Sequence, residues 1–184
     1  MQCLTPEKIK NPQINRETLH GREKYIWVAC GSCTACLKRR ARQWVFRLQK
    51  EEEQSATAVF MTYTYDSMNV PISPNGFLTL DRKHHSQFMK RLRKELQKEG
   101  YRVKMKYYVV GEYGGQTERP HYHAILFNLP EKYIVNEHKI EKLWQKGRIQ
   151  ADEVTPRSIA YVCGYVNKQK RFNNLGERDD RVPR

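Results

Sequence analysis

Two residue pairs carry the chemistry-bearing pattern of this chain. His121 and His123 stand one residue apart in Arg-Pro-His-Tyr-His, and Tyr161 and Tyr165 stand four apart in Tyr-Val-Cys-Gly-Tyr-Val-Asn-Lys. On a strand, successive side chains alternate faces, so both imidazoles project the same way. On a helix, positions i and i+4 are neighbours, which puts the two phenols together with Lys168 one turn beyond Tyr165. Neutral imidazole binds divalent metals well, and a third ligand is at hand in Glu112. That residue ends a strand which the connection 113–120 returns beside the histidines. Two nitrogens and one carboxylate oxygen leave positions open for water and phosphate oxygens. Mg²⁺ or Mn²⁺ in such a site acts as a Lewis acid on a scissile phosphate.

The tyrosines supply the other half of the reaction. A phenol, with a pKa of ~10, needs help to act as a nucleophile at neutral pH. A nearby ammonium, here Lys168, stabilises the developing charge, and a metal polarises the phosphate under attack. A phosphotyrosyl ester keeps the energy of the broken phosphodiester, so rejoining needs no nucleotide cofactor. Two tyrosines permit two successive transfers. The pattern predicts phosphoryl transfer on DNA.

These residues need elements to position them. Leu37, Ala41, Trp44, Val45 and Leu48 follow helical spacing from Thr34 to about Gln54, and Thr57–Tyr65 reads as a strand. A second amphipathic helix from about Asp81 to Lys98 carries Phe88, Met89, Leu92 and Leu96. Strands are expected at Val103–Glu112 and His121–Leu129, a short helix around Glu137–Gln145 and a short strand near Arg148–Val154. Thr155 caps the last helix, Pro156 suits its first turn, and it runs to about Gln169. Ile159, Val162, Cys163 and Val166 form its apolar side; Tyr161, Tyr165 and Lys168 fall on the other. Hairpin-like adjacency predicts an α+β fold, a central antiparallel sheet flanked by helices. Residues 1–29 look irregular. His20, His84, His85 and His138 lack a comparable setting and are expected at the surface.

A chain of 184 residues with a formal charge of +14 can bury one ordinary core and calls for a polyanionic partner. Arg39, Arg40, Lys90, Arg91, Arg93 and Lys94 form a class of candidate DNA contacts on helices with apolar opposite faces. No apolar run approaches the ~20 residues of a membrane span, so no membrane partner is expected. Five cysteines and no export signal point to a reducing cytoplasm. Cys30, Cys33 and Cys36, with Cys3 as a fourth, offer enough thiolates for a tetrahedral structural zinc. Reduced thiols entering a helix, or an iron–sulfur cluster, are the alternatives.

His121-Tyr-His123 followed by Tyr161-x-x-x-Tyr165-x-x-Lys168 resembles the HUH endonucleases, in particular the rolling-circle replication initiators of small circular single-stranded DNA phages. Several further stretches are similar to the microvirus (gokushovirus-type) initiators. They are Cys30-Gly-Ser-Cys33-Thr-Ala-Cys36, Phe60-Met-Thr-Tyr-Thr-Tyr-Asp66, Phe88-Met-Lys-Arg-Leu-Arg93, and Gly111-Glu-Tyr-Gly114 ahead of the histidines. The resemblance spans about residues 1–170. It implies the HUH nuclease fold, with His121, His123 and Glu112 as metal ligands and Tyr161 and Tyr165 as nucleophiles, Lys168 assisting Tyr165. Gly164 stands where the family often has a lysine after Tyr161, which ranks Tyr165 first. It further implies nicking of single-stranded origin DNA, a 5′-phosphotyrosine intermediate and a 3′-OH left for host replication machinery in the bacterial cytoplasm, with no small-molecule substrate. The chain then divides into a Cys-rich segment (1–36), an HUH endonuclease domain (37–170) and a polar, disordered tail (171–184). The alternative is a non-catalytic, zinc-stabilised single-strand-binding protein.

Overall fold

The computed structural model describes residues 2–12, 24–165 and 179–181. Its centre is a four-stranded antiparallel sheet in the order β4-β5-β3-β6. The strands are β3 (Ala58–Tyr65), β4 (Lys106–Tyr113), β5 (Pro120–Phe127) and β6 (Gly147–Glu153). The α+β class expected from the sequence is the observed one.

Strand alternation sorts side chains onto two helical layers. Met61, Tyr63, Tyr122, Ala124 and Leu126 face α2 (Arg82–Lys98) and α4 (Glu137–Trp144), and form the larger core with Phe88, Leu92 and Trp144. Ile125 and Phe127 face the other way, onto Leu48 of α1 (Thr34–Gln54) and Ile159, Val162 and Cys163 of α5 (Pro156–Gly164). Covered on both faces, β5 is buried along nearly its whole length. A short helix, α3 (Glu131–Ile134), buries Tyr133 in the larger core.

Local chemistry sets the boundaries. Asp81 caps α2 by accepting from the Lys83 amide, and Thr155 with Ser158 forms a reciprocal capping box at the start of α5. Gly147 opens β6 at φ 140, and a Cβ there would lie 2.3 Å from the Thr64 carbonyl oxygen, so only glycine fits.

Several expectations are corrected. Residues 1–29 are not wholly irregular: β1 (Glu7–Lys10) and β2 (Tyr25–Val28) pair as an antiparallel ribbon. Four-residue strands with little alternation carry almost no periodic signal. His85 is buried rather than at the surface, stacked on Tyr63 with ring centres 5.9 Å apart, because the inward face of α2 passes through it. Arg91 is a structural group and leaves the class of DNA contacts. Its Nε and Nη2 donate to the Leu143 and Trp144 carbonyls at the end of α4. Most of 171–184 lies outside the described residues. Within it Arg181 is buried, with its guanidinium donating to Asp179 and Glu118 and lying over the Tyr113 ring.

Candidate functional site

The α1/α5 face of the sheet brings the two sequence clusters together. In the β4–β5 register Glu112 lies opposite His121, and Val110 opposite His123, so alternation points all three candidate ligands to one side. The Glu112 Oε2 stands 3.0 Å from His123 Nε2 and 3.4 Å from His121 Nε2. The three donor atoms lie within 4.8 Å of one another.

The far side of each imidazole is already committed. His121 Nδ1 lies 3.0 Å from the Arg119 carbonyl oxygen, which can only accept, so Nδ1 carries the proton and the Nε2 lone pair faces Glu112. His123 Nδ1 lies 3.1 Å from Thr62 Oγ1, directly across the β3–β5 pair, and its ring stacks on Phe60. With Thr62 accepting, His123 takes the same tautomer, and two imidazole lone pairs and a carboxylate converge on one point. A cation resolves that arrangement. Metal–ligand bonds of about 2.1 Å at right angles separate neighbouring donors by about 3.0 Å, close to the spacing seen here. The residues therefore fit a divalent metal with open positions.

The tyrosines meet the same carboxylate. Tyr161 Oη donates to Glu112 Oε2 at 2.9 Å, and Tyr165 Oη donates to Tyr161 Oη at 2.6 Å. Tyr161 is 45 % exposed and Tyr165 only 6 %, so the phenols form a relay from a buried to an accessible oxygen. Partial burial, then the Glu112 charge, raises the Tyr161 pKa above the ordinary phenol range even though the Tyr165 hydrogen bond lowers it. Burial, followed by Glu112 and Tyr161, raises that of Tyr165 further. The expectation that both tyrosines share an outward side holds for Tyr161, whereas Tyr165, at the end of α5, turns inward. Lys168 lies outside the described residues, as do Val166 and His20.

Sequence reasoning missed Thr62, Phe60 and Arg157. Thr62 and Phe60 matter only through the β3–β5 register, which no local pattern reveals. Arg157, in the first turn of α5, lines a cleft of 280 Å³ together with Phe60, His123 and Tyr161. A guanidinium there is positioned to meet a phosphate beside the accessible phenol.

The cysteines form a second cluster, in which all four sulfurs of Cys3, Cys30, Cys33 and Cys36 lie within 4.8 Å of one another. Cys3 Sγ is 3.6 Å from Cys30 Sγ and 3.9 Å from Cys33 Sγ. Tetrahedral zinc with bonds of about 2.3 Å separates its sulfurs by about 3.8 Å, so the set fits zinc. The amides of Cys30 and Cys33 donate to Cys3 Sγ and Cys30 Sγ. A hydrogen bond from the Thr5 hydroxyl, then backbone donors, lowers the Cys30 thiol to about 5.

Among known proteins, the family of replication-associated proteins of the ORF2 type matches residues 58–170, which include the metal triad and both tyrosines. The chain is similar to the replication-associated protein VP4 of Bdellovibrio phage phiMH2K, 30% identical over 165 residues, or 82% of this chain and 51% of that protein. It is also similar to the replication-associated protein ORF4 of Chlamydia phage 1, 30% identical over 76% of this chain and 38% of that protein. The replication-associated protein ORF2 of Spiroplasma virus 4 is 30% identical over 83% of this chain and 50% of its own length. The chain thus spans about half the length, or less, of the curated relatives it matches. No solved structure matches it. No helix among the described residues is long and apolar enough to cross a membrane.

Proposed function

The chain belongs to the family of ORF2-type replication-associated proteins, and on that premise we propose that it is a phage replication initiator endonuclease that nicks single-stranded origin DNA with a tyrosine nucleophile and later rejoins the strand. The observation that carries this reading is the convergence on Glu112 Oε2 of His121, His123 and the Tyr161 hydroxyl. A metal triad alone suits many hydrolases. A triad whose carboxylate also holds a half-exposed phenol supports a nucleophile and a phosphate sharing one pocket.

A divalent metal held by His121, His123 and Glu112 supplies charge neutralisation for the phosphate. Two imidazole nitrogens favour Mn²⁺ over Mg²⁺, which prefers all-oxygen surroundings. Tyr161 Oη forms the bond to phosphorus as the bond to the 3′ oxygen breaks. The leaving 3′ oxygen takes up a proton, and the 5′ phosphate stays esterified to the enzyme. Attack by a 3′-OH reverses the step, restoring the phosphodiester and the phenol. The accessible Tyr161 acts first, against the ranking that the lysine pattern suggests. Tyr165, hydrogen-bonded behind it, takes the second transfer, with Lys168 assisting. Arg157 binds the phosphate. The four cysteines hold a structural zinc. The released 3′-OH is extended by host replication machinery in the bacterial cytoplasm, and no small-molecule substrate is required. Residues 37–170 form the catalytic domain of the HUH type, preceded by the Cys-rich segment 1–36 and followed by the tail 171–184.

The test is a denaturing gel of protein incubated with labelled single-stranded origin DNA in Mn²⁺, Mg²⁺ or EDTA. A metal-dependent covalent adduct, absent from the Tyr161→Phe/Tyr165→Phe double variant, is expected. No cleavage on a verified origin with metal bound would leave the non-catalytic single-strand-binding reading in its place.

A further inference from the structure

The β1–β2 ribbon is not used by the chemistry above. Its register pairs Lys8 with Trp27 and Lys10 with Tyr25, so alternation puts these four side chains on one face. Ile9, Ile26, Val28 and the ribbon's one acid, Glu7, take the other. The Trp27 side chain is 66 % exposed and Tyr25 45 %, large aromatic areas to leave in water. Lys8 Nζ lies 5.5 Å from the Tyr25 ring centre and 5.9 Å from that of Trp27, and Lys24 Nζ lies 5.8 Å from Tyr25. The face therefore alternates rings with ammonium groups and carries no carboxylate.

A two-stranded ribbon of this length is marginal in water by itself. Here its base is closed by the thiol cluster. Cys3 precedes β1, Cys30 follows β2, and Cys33 and Cys36 lie at the start of α1. Zinc in that cluster fixes both strands to the first turn of α1 and presents the aromatic face as a rigid finger.

We propose that the Lys8/Lys10/Tyr25/Trp27 face is a single-stranded nucleic-acid contact separate from the catalytic pocket, with bases stacking on Trp27 and Tyr25 and the lysines meeting phosphates. Charge selects the partner: a face of only cations and rings, in a chain of formal charge +14, suits a polyanion whose every unit offers a π-surface. The proposal rests on the reading that this chain acts on single-stranded DNA, and it extends that reading to a second site.

The experiment measures binding of the full chain to a fluorescent oligothymidine by anisotropy, across a salt series. Zinc content and covalent adduct at saturating origin DNA are measured in parallel. Trp27→Ala is expected to weaken binding roughly tenfold, with Trp27→Phe recovering most of the loss. Lys8→Ala should lower the slope of log K against log salt by about 0.7. Zinc content and adduct yield at saturation should stay at the wild-type level. Unchanged affinity in Trp27→Ala and Lys8→Ala overturns the proposal whatever the adduct shows. Equal losses on duplex DNA overturn its single-strand character. A wild type that makes no adduct, yet loses oligonucleotide binding in both variants, sinks the nuclease reading and leaves the ribbon contact standing.

Discussion

Tyr161 Oη donates to the same Glu112 oxygen that stands 3.0 Å from His123 Nε2. One atom therefore joins the metal triad to the phenol, and Tyr165 reaches that atom only through Tyr161. Tyr161→Phe is expected to cut first-strand cleavage by at least about a thousandfold, as removal of a nucleophile does. Tyr165→Phe should retain the first cleavage and lose the second transfer. Adduct yield on a single-origin oligonucleotide, against joined product on a two-origin substrate, separates the two. Equal loss of first cleavage in both single variants would contradict the assigned order.

Thr62 touches neither metal nor DNA in this scheme; it orients His123 through Nδ1. Thr62→Val keeps the shape and removes the acceptor. Mn²⁺ affinity by calorimetry should fall about 10- to 100-fold, and Thr62→Ser should restore it. Unchanged affinity in Thr62→Val would show that Phe60 stacking alone holds the ring.

The purified chain should carry one zinc by elemental analysis, distinct from the metal taken up at the histidines. Cys33→Ser should lose that zinc and lower the thermal midpoint, because binding to a site absent from the unfolded chain stabilises the fold. His123→Ala should leave the zinc in place. A zinc-free native protein with four titratable thiols would overturn the assignment.

His85 gives the fold a pH dependence. Burial, then the nearby Arg93 charge, lowers its pKa from 6.5 to about 4, so it is neutral in the folded state. Between those values the unfolded chain binds the extra proton. The stability is present above pH 6.5 and falls as pH drops toward 4, by about 3 kcal/mol at full expression. Urea midpoints from about pH 7 to about pH 4 should fall more steeply for the wild type than for His85→Phe. Parallel curves would place the proton elsewhere.

Much of the fold is legible in the sequence because its signals are local. The α1 stripe of Leu37, Trp44, Val45 and Leu48, the Asp81 cap and the Thr155-Pro156 start each depend on neighbours in the chain. The same is true of the pairing of His121 with His123 on one strand face. The β1–β2 ribbon is not legible, because four-residue strands have too few positions to show a period. Nor is the burial of His85, because a single turn of α2 decides it, and the neighbouring His84 lies only about 100° around the helix.

By itself the sequence determined which residues are able to do chemistry, and on which face of their own element each one lies. Periodicity is a property of a single strand or helix. Only the tertiary structure decided that Glu112 Oε2 is shared by His121, His123 and Tyr161, that Thr62 stands behind His123, and that Tyr165 is buried while Tyr161 is open. Those relations depend on strand register and on how α5 packs across the sheet. Register and packing are set by the burial of Ile125, Phe127, Ile159 and Val162 against Leu48, side chains far apart in the chain.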